Sequence, residues 1–439
     1  MQRISRREFV KRTAVTGAAF TSLPAFLAAC GTSTSTSTKP SKLVVAAVQG
    51  NEDGPLKKVV GNYKSQTGIE VQVVEFPYDS LYSKLVTTFQ ANDSSYDLCM
   101  MDDPWMPKFG TMGALQPLDS FGFTRDPDIP TVVYDVGTWP PPHGPVPPSE
   151  QGKTAHLYGI TIVGNVEMFM YRSDKSSAPT SWDDVLANAA KYNAANFYGY
   201  VIRGKATNPV SSDSLPILWS FGGNIFDDTW KVQLDSSASI TAVDFLTRKL
   251  KQYAEPGAAS FDAAERSQAM ATGKAYQSTV WPGEITGIVE DPTVSQVRGK
   301  VAYIPIPQGP SGKGLGMMGN WLLGIPKGSK NGSAAADFIK WMLQPANMRN
   351  YVAQGGIPIR NSILNDASLA TANPYFKALA ASFAAVPNWR PRTDQWGAVE
   401  TSYGTAMNAA VAGQLTPQAA MQKAAGEIRT LMKAANYPS

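Results

Sequence analysis

Between Lys42 and Met101 the chain alternates strand-like and helix-like runs with no hairpin turn between them, and this pattern restricts the fold more than any other feature. Residues 42–48 are an apolar run ended by Gln49, Gly50 and Asn51. Leu56, Val59, Val60 and Tyr63 then recur at helical spacing, which predicts a helix over 54–64. Gln66, Thr67 and Gly68 close it, and 69–74 reads as a second strand. Leu81, Leu85, Thr88 and Phe89 mark another helix over 80–91, before a short third strand at 96–101. Strands joined through helices need crossovers, which are right-handed and leave the strands parallel. The expectation is an α/β fold on a parallel sheet, and such sheets hold ligands outside the carboxyl ends of their strands. Those ends carry residues 49–53, Phe76-Pro77-Tyr78 and Asp102-Asp103-Pro104-Trp105, a convergence of polar and aromatic side chains.

The thirty residues that begin the chain address a different question. Ser5-Arg6-Arg7-Glu8-Phe9-Val10-Lys11 has the form of a twin-arginine export motif, and a weakly apolar run over 14–26 follows it. That run is shorter than the roughly 20 apolar residues a bilayer span needs, so it reads as a signal peptide, residues 1–29, that is removed. Leu27-Ala28-Ala29-Cys30 resembles a bacterial lipobox, in which Cys30 would be acylated and become the new N-terminus. Residues 30–41 are rich in Ser and Thr and suit a solvated tether. The expected location is outside the cytoplasm, on the cell membrane, held by lipid alone.

Composition narrows the partners. Five basic residues against Glu8 within 1–29 account for the whole formal charge of +4, so the remainder is near neutral. A neutral chain lacks the basic face that nucleic acid demands. Cys99 would be the one remaining thiol, which excludes an internal disulfide. His143 and His156 are the two histidines, and no cluster has metal-ligand spacing, so neither metal nor cofactor is expected. Ten Trp and seventeen Tyr leave a surplus suited to ligand stacking.

Downstream, the proline-rich segment 127–148 reads as an extended surface loop, and 157–172 as buried strand. A helix capped by Ser181 follows, then a strand over 198–202 and a helix around 215–219. Helices are expected over 238–253 and 261–272, and strands over 274–281, 301–306 and 320–325. An amphipathic helix is expected over 333–343, with an Ala-rich helical region beyond Pro374.

Across this order, from about Lys42 to the C-terminus, the chain resembles the family 1 extracellular solute-binding proteins of carbohydrate ABC importers, the maltose-binding-like group. The resemblance is carried by Asp102-Asp103-Pro104-Trp105-Met106-Pro107, by Tyr158-Gly159-Ile160 with Gly164-Asn165 and Tyr171-Arg172, and by Trp219-Ser220-Phe221-Gly222-Gly223. It continues in Val280-Trp281-Pro282-Gly283-Glu284, Gly319-Asn320-Trp321-Leu322-Leu323, Asp337-Phe338-Ile339-Lys340-Trp341 and Gly355-Gly356-Ile357-Pro358-Ile359-Arg360. It implies the two-lobed periplasmic-binding-protein fold, type II or Venus-flytrap, with discontinuous α/β lobes joined by a hinge. The first lobe would comprise 42–166 and 306–354, the second 167–305 and 355–439, with crossings near 165–169, 303–307 and 355–358. The implied function is a monomeric, non-catalytic receptor that closes around a sugar or sugar alcohol and delivers it to an ABC importer permease. A receptor for another solute, such as an oligopeptide, and a secreted carbohydrate-active enzyme using Asp102/Asp103 or Glu284 are the competing readings.

A polyhydroxylated ligand needs carboxylates, amides or guanidinium for its hydroxyls and aromatic planes for its C–H faces. Asp103 and Trp105 supply both types directly after a strand. Asn165 falls at a lobe crossing. Trp281 and Glu284 flank a Pro-Gly turn, and Asn320 with Trp321 follows a glycine. Arg203 follows a strand and Arg360 a Gly-Gly turn. Asp213, Tyr78 and Trp219 complete the candidate set, with helix capping or core packing as their competing roles.

Overall fold

The computed structural model describes residues 39–385 and 387–438. The export motif, the apolar run, Cys30 and most of the tether lie outside the described residues. Among the described residues, no helix is long and apolar enough to cross a membrane.

The predicted alternation forms β1 (Lys42–Val48), α1 (Gly54–Thr67), β2 (Glu70–Phe76), α2 (Tyr78–Gln90) and β3 (Leu98–Asp102). β1 lies between β2 and β3 and pairs with both in parallel, with Lys42 opposite Glu70 and Val45 opposite Leu98. Its central place explains its nearly continuous apolar run, since both faces are covered. Gly68 ends α1 at φ 78°, a left-handed conformation that glycine adopts without steric cost, and its N–H bonds the Lys64 carbonyl. A two-residue ladder, β4 (Thr138–Trp139) with β5 (His156–Leu157), precedes β6 (Gly159–Val163) and β7 (Met168–Arg172). β8 (Gln277–Val280), β9 (Val301–Ile304) and β10 (Trp321–Gly324) follow.

The first sheet has the order β2-β1-β3-β10-β6. β10 runs antiparallel to both neighbours, so the sheet is parallel over the three strands read from sequence and mixed beyond them. Its register sets Trp321 opposite Asp102. The second sheet, β8-β7-β9, is antiparallel around β7.

Helix Trp182–Tyr192 starts on a capping box formed by Ser181 and Asp184. Helix Asn208–Ser220 is buried from Pro209 onward and is packed by helix Trp396–Val411. The strand expected over 198–202 is reduced to a bridge between Tyr198 and Ala275. The segment still bonds its neighbour through its backbone, Tyr198 with Lys274 and Tyr276 and Val201 with Gln277, and a Cβ at Gly199 would overlap the Ala189 carbonyl. The helix expected over 238–253 changes pitch, running as α-helix over Ser237–Asp244, as π-helix over Phe245–Leu250 and as a final 3₁₀ turn.

Among the described residues the apolar interior forms two clusters. One fills the first sheet and continues under the inner face of the second, through Met168, Val280 and Tyr303; the other holds Trp182, Trp219, Trp396 and Tyr403. The chain passes between the sheets at 164–167 and again at 305–320. Residues 355–383 reach both sheets: Ile357, Ile359 and Phe376 join the first cluster, Arg360 is anchored to Asp126 and Asp128, and helix Phe376–Ala384 packs on β7 and β9. Trp396 is where the chain enters the second cluster.

The proline-rich segment is pinned rather than free. Trp139, Pro140 and Pro141 are buried, and the peptide bond before Pro140 is cis. Trp230 donates from Nε1 to the Val146 carbonyl at 3.2 Å, and the exposed His143 ring stacks on Trp389 with centroids 6.3 Å apart. Within this segment, Gly137 meets the Gly159 carbonyl so closely that a methyl group would overlap it. Gly137→Ala is expected to lower stability by roughly 1–3 kcal/mol, read as a lower urea midpoint at unchanged slope.

Candidate ligand-binding cleft

A cavity of about 640 Å³ opens where the carboxyl ends of β1 and β3 face the second sheet. On the first-sheet side it is walled by residues 48–52, Tyr78, Asp102, Gly319 and Trp321. Arg203, Lys205, Asp262, Trp281 and Glu284 face them, Asn165 lies at the first chain crossing, and Arg390 completes the border.

Hydrogen bonds fix the first wall. The Tyr78 hydroxyl donates to Asp102 Oδ2 at 2.8 Å. Arg390 grips both oxygens of the same carboxylate, at 3.2 and 2.9 Å, and reaches Asp103 Oδ1 at 3.3 Å. Tyr78, Trp105 and Trp321 form a triangle of rings with centroids 5.0, 5.6 and 5.9 Å apart.

The opposite wall consists of charge pairs. Arg203 donates to Asp262 at 2.9 Å, Lys205 reaches the other oxygen of that carboxylate at 3.0 Å, and Arg203 lies 3.5 Å from Asp213. Behind them the fully buried Arg266 binds Asp213, Glu284 and the Thr279 hydroxyl. Burial works against the Arg266 charge, yet these carboxylates hold its pKa above the usual arginine value. Asp262 is likewise partly buried, and Arg203 and Lys205 nevertheless pull it down to about 2.

The two walls touch. Asn51 donates from Nδ2 to the Gly283 carbonyl at 3.2 Å. The Trp281 ring lies against Gly319, where a Cβ would come within 2.6 Å of it, so only glycine admits the indole.

Six of the predicted residues border this cavity: Tyr78, Asn165, Arg203, Trp281, Glu284 and Trp321. Trp105 borders an adjoining chamber instead. The remaining five border neither. Asp103 is fully buried and accepts from the Asn320 N–H at 2.8 Å, which makes it a brace for the loop before β10. The Asn320 side chain is sealed within that loop. Asp213 is consumed by Arg266 and Thr279, and Trp219 packs in the second cluster. Arg360 bonds Asp126, Asp128 and the Leu343 carbonyl.

Glu52, Lys205, Asp262 and Arg390 were not singled out from the sequence. Glu52 follows directly from the polar end of β1, which was the available signal. Arg390 lies in Asn388-Trp389-Arg390-Pro391-Arg392, outside any regular element, and gave none.

Residues 47–349 match the family described as bacterial extracellular solute-binding protein, more than half of the chain. The chain belongs to this family. It is a family of binding proteins rather than enzymes, and its members work outside the cytoplasm. Among relatives of this solute-binding protein, a probable amino-acid ABC transporter periplasmic-binding protein of Sinorhizobium fredii is 26% identical over 407 residues, covering 90% of each chain. The mannitol-binding protein of Pseudomonas aeruginosa is 23% identical over 429 residues, covering 90% of this chain and 94% of its own. A solute-binding protein of Agrobacterium radiobacter solved with ribitol superposes with a TM-score of 0.79 at 23% identity, over 90% of this chain and 99% of that one. A maltose-bound T. maritima protein gives 0.77 at 25%, over 89% and 99%. These likenesses establish the two-lobed α/β fold.

Burial pushes Glu52 from 4.5 up to about 7, and the nearby Glu284 and Asp102 carboxylates add to the rise. The fold therefore favours its protonated form. This contribution is present below about pH 4.5, where both states hold the proton, and is lost as pH rises through 7. Glu52→Gln removes the loss. Its melting temperature relative to the unsubstituted chain is expected to rise from pH 4.5 to pH 8, and parallel melting curves across that range check this.

Proposed function

We propose that this solute-binding protein captures a sugar or sugar alcohol between its lobes and presents it to the permease of an ABC importer. The observation that supports the ligand class most strongly is the pairing of two indoles, Trp281 and Trp321, from opposite sides of one cleft already rich in carboxylate and amide groups. Indole faces cover C–H surfaces while carboxylates and amides satisfy hydroxyls. The ligands of the relatives, mannitol, ribitol and maltose, agree with this chemistry.

The amino-acid reading, raised by the Sinorhizobium fredii relative, meets an electrostatic obstacle. Arg203, Lys205 and Arg390 are the described cations that border the main cavity, and each is already paired with a carboxylate. A ligand carboxylate would have to displace one of these partners. Catalysis by a carboxylate pair meets the same obstacle, since Asp102 and Asp103 share Arg390 and Glu284 is held by Arg266. No turnover of aryl glycosides is expected.

Closure would follow from a ligand that touches both walls and so favours the state in which they meet. The lobes assigned to 42–166 with 306–354, and 167–305 with 355–439, would move about the crossings. The chain would act as a monomer, exported by the twin-arginine route and anchored through acylated Cys30. Cys30→Ser is expected to move the protein from the membrane to the soluble fraction, as followed by fractionation of expressing cells. Retention of the variant on membranes would refute the anchor.

Thermal shift against sugars, sugar alcohols and amino acids tests the ligand class. Ligand at a hundredfold excess over its Kd stabilises the native state by about 2.7 kcal/mol. At least one sugar or polyol is expected to raise the melting temperature, with affinity falling roughly tenfold or more in Trp281→Ala. A shift with amino acids alone would transfer the function to the second reading.

A further inference from the structure

Every basic residue on the border of the main cavity is already matched to an acid, and the acids outnumber them. Asp102 is held by Arg390, Glu284 by Arg266 from behind, and Asp262 by Arg203 and Lys205. Glu265 also reaches the border, but it is exposed and caps its own helix by accepting from the Asp262 N–H at 2.8 Å. Glu52 is different. It is half-buried on the same border, and among the described residues it takes part in no ion pair and receives no hydrogen bond from another side chain. Lys57, further along α1, is engaged with Glu75 at 2.6 Å and with Asp53 at 3.6 Å.

The charges that face Glu52 are negative. Glu284 from the opposite wall, Asp102 from the end of β3 and the adjacent Asp53 all disfavour its ionised form. Burial, with Glu52 adding to it, raises the Tyr351 phenol, which stays neutral and brings no counter-charge. The carboxyl also stands where the walls meet. A Cβ on Gly283 would lie 3.7 Å from Glu52 Oε1, beside the bond that Asn51 makes to the Gly283 carbonyl. A second acceptor on the border lacks a donor. Asn165 is 3% exposed, and its Oδ1 is buried without a hydrogen-bond partner. An ammonium group carries three donors and no acceptor, and it brings the positive charge that this part of the cleft is missing. A neutral hydroxyl brings one donor and leaves the charge uncompensated.

We propose that the ligand is a polyhydroxylated amine, an amino sugar or amino alditol, whose ammonium group is held by Glu52. This rests on the carbohydrate reading given above and adds a charged group to it. The indoles and the paired carboxylates serve the rest of such a ligand as they would a neutral sugar. The ammonium displaces no existing ion pair, whereas a ligand carboxylate would have to. Charge complementarity of this kind decides between two solutes that are otherwise alike in shape.

Calorimetric titration of the purified chain with matched pairs tests the proposal: glucose with glucosamine, galactose with galactosamine, and glucitol and mannitol with the corresponding amino alditols. In at least one pair the amine is expected to bind about tenfold more tightly than its parent, and N-acetylation to abolish the gain. Glu52→Gln is expected to bring the ratio of the two affinities to about one. Glu52 must be ionised to hold the ammonium, and burial has raised it to about 7, so the affinity for the amino alditol should rise from pH 6 to pH 8. Thermal melting of the free variant shows whether it folds; if it does not, the pairs and their N-acetyl forms on the unsubstituted chain decide the question. Equal affinity for parent and amine, or a preference that survives in folded Glu52→Gln or in the N-acetyl forms, would overturn the ammonium site and leave the carbohydrate reading intact. Failure of every sugar, alditol and amine to bind would remove that reading, and this proposal with it.

Discussion

The guanidinium of Arg390 joins three parts of the chain that are distant in sequence. It holds Asp102 at the end of β3, touches Asp103, and lies 3.4 Å from the Met318 carbonyl on the way to β10. Burial opposes its charge, and Asp102 and Asp103 restore it, so its pKa lies above that of a free arginine. Asp103 is fully buried and pushed up to about 6 by desolvation, with Arg390 pulling the other way. Removing one partner of such a buried pair leaves a charge uncompensated, at a cost of about 3–5 kcal/mol. The arrangement also has a geometric effect. Asp102 receives the Tyr78 hydroxyl, Asp103 receives the Asn320 N–H, and Trp321 follows immediately. The aromatic wall of the cleft thus depends on a residue that presents no ring itself. Arg392 extends the brace by donating to the carbonyls of Asp103 and Val136 at 2.9 and 2.7 Å.

The opposite wall meets the same constraint with more charges. Arg203 and Arg266 are surrounded by Asp213, Asp262 and Glu284, and by Glu167, which is fully buried at the end of the first crossing. Burial drives the Glu167 carboxyl well above its usual range, with the Asp213 charge adding to the effect and Arg266 opposing it. Ions that face one another across a few ångströms cancel most of their outward field. The wall can therefore offer directed hydrogen bonds without exerting a strong net pull on a charged solute. Such a surface favours ligands recognised by hydroxyl geometry over those recognised by charge.

The β1–β3 region was readable because each element there obeys a local period and is closed by its own turn signals. The region around Tyr198 was less so. It is β-branched and aromatic enough for a strand, but the close approach of Gly199 to Ala189 is a tertiary fact that no local pattern reports. The site divides in the same manner. Trp281 and Trp321 announced themselves through flanking glycines, which the structure shows are needed for ring contact at Gly319. Choosing between Asp102 and Asp103 was harder, because neighbouring residues at a strand end point to opposite sides. The register that sets Asp102 beside Trp321 decides it. Arg360 and Asp213 have the right chemistry for a sugar, and their partners lie far away in sequence. Ion pairs of that kind are invisible until the fold brings them together.

Cys99 has a practical consequence of another sort. It sits on β3 with no solvent exposure, bonds the Gly324 carbonyl at 3.6 Å, and has its thiol pushed up to about 12 by burial. The thiolate that would attack a maleimide or a disulfide is therefore scarce, and the sulfur is out of reach. Among the described residues it is the only cysteine. In a chain that starts after Cys30, a cysteine placed at the rim of the cleft would stand out against a silent background, so an attached fluorophore could follow the approach of the two walls.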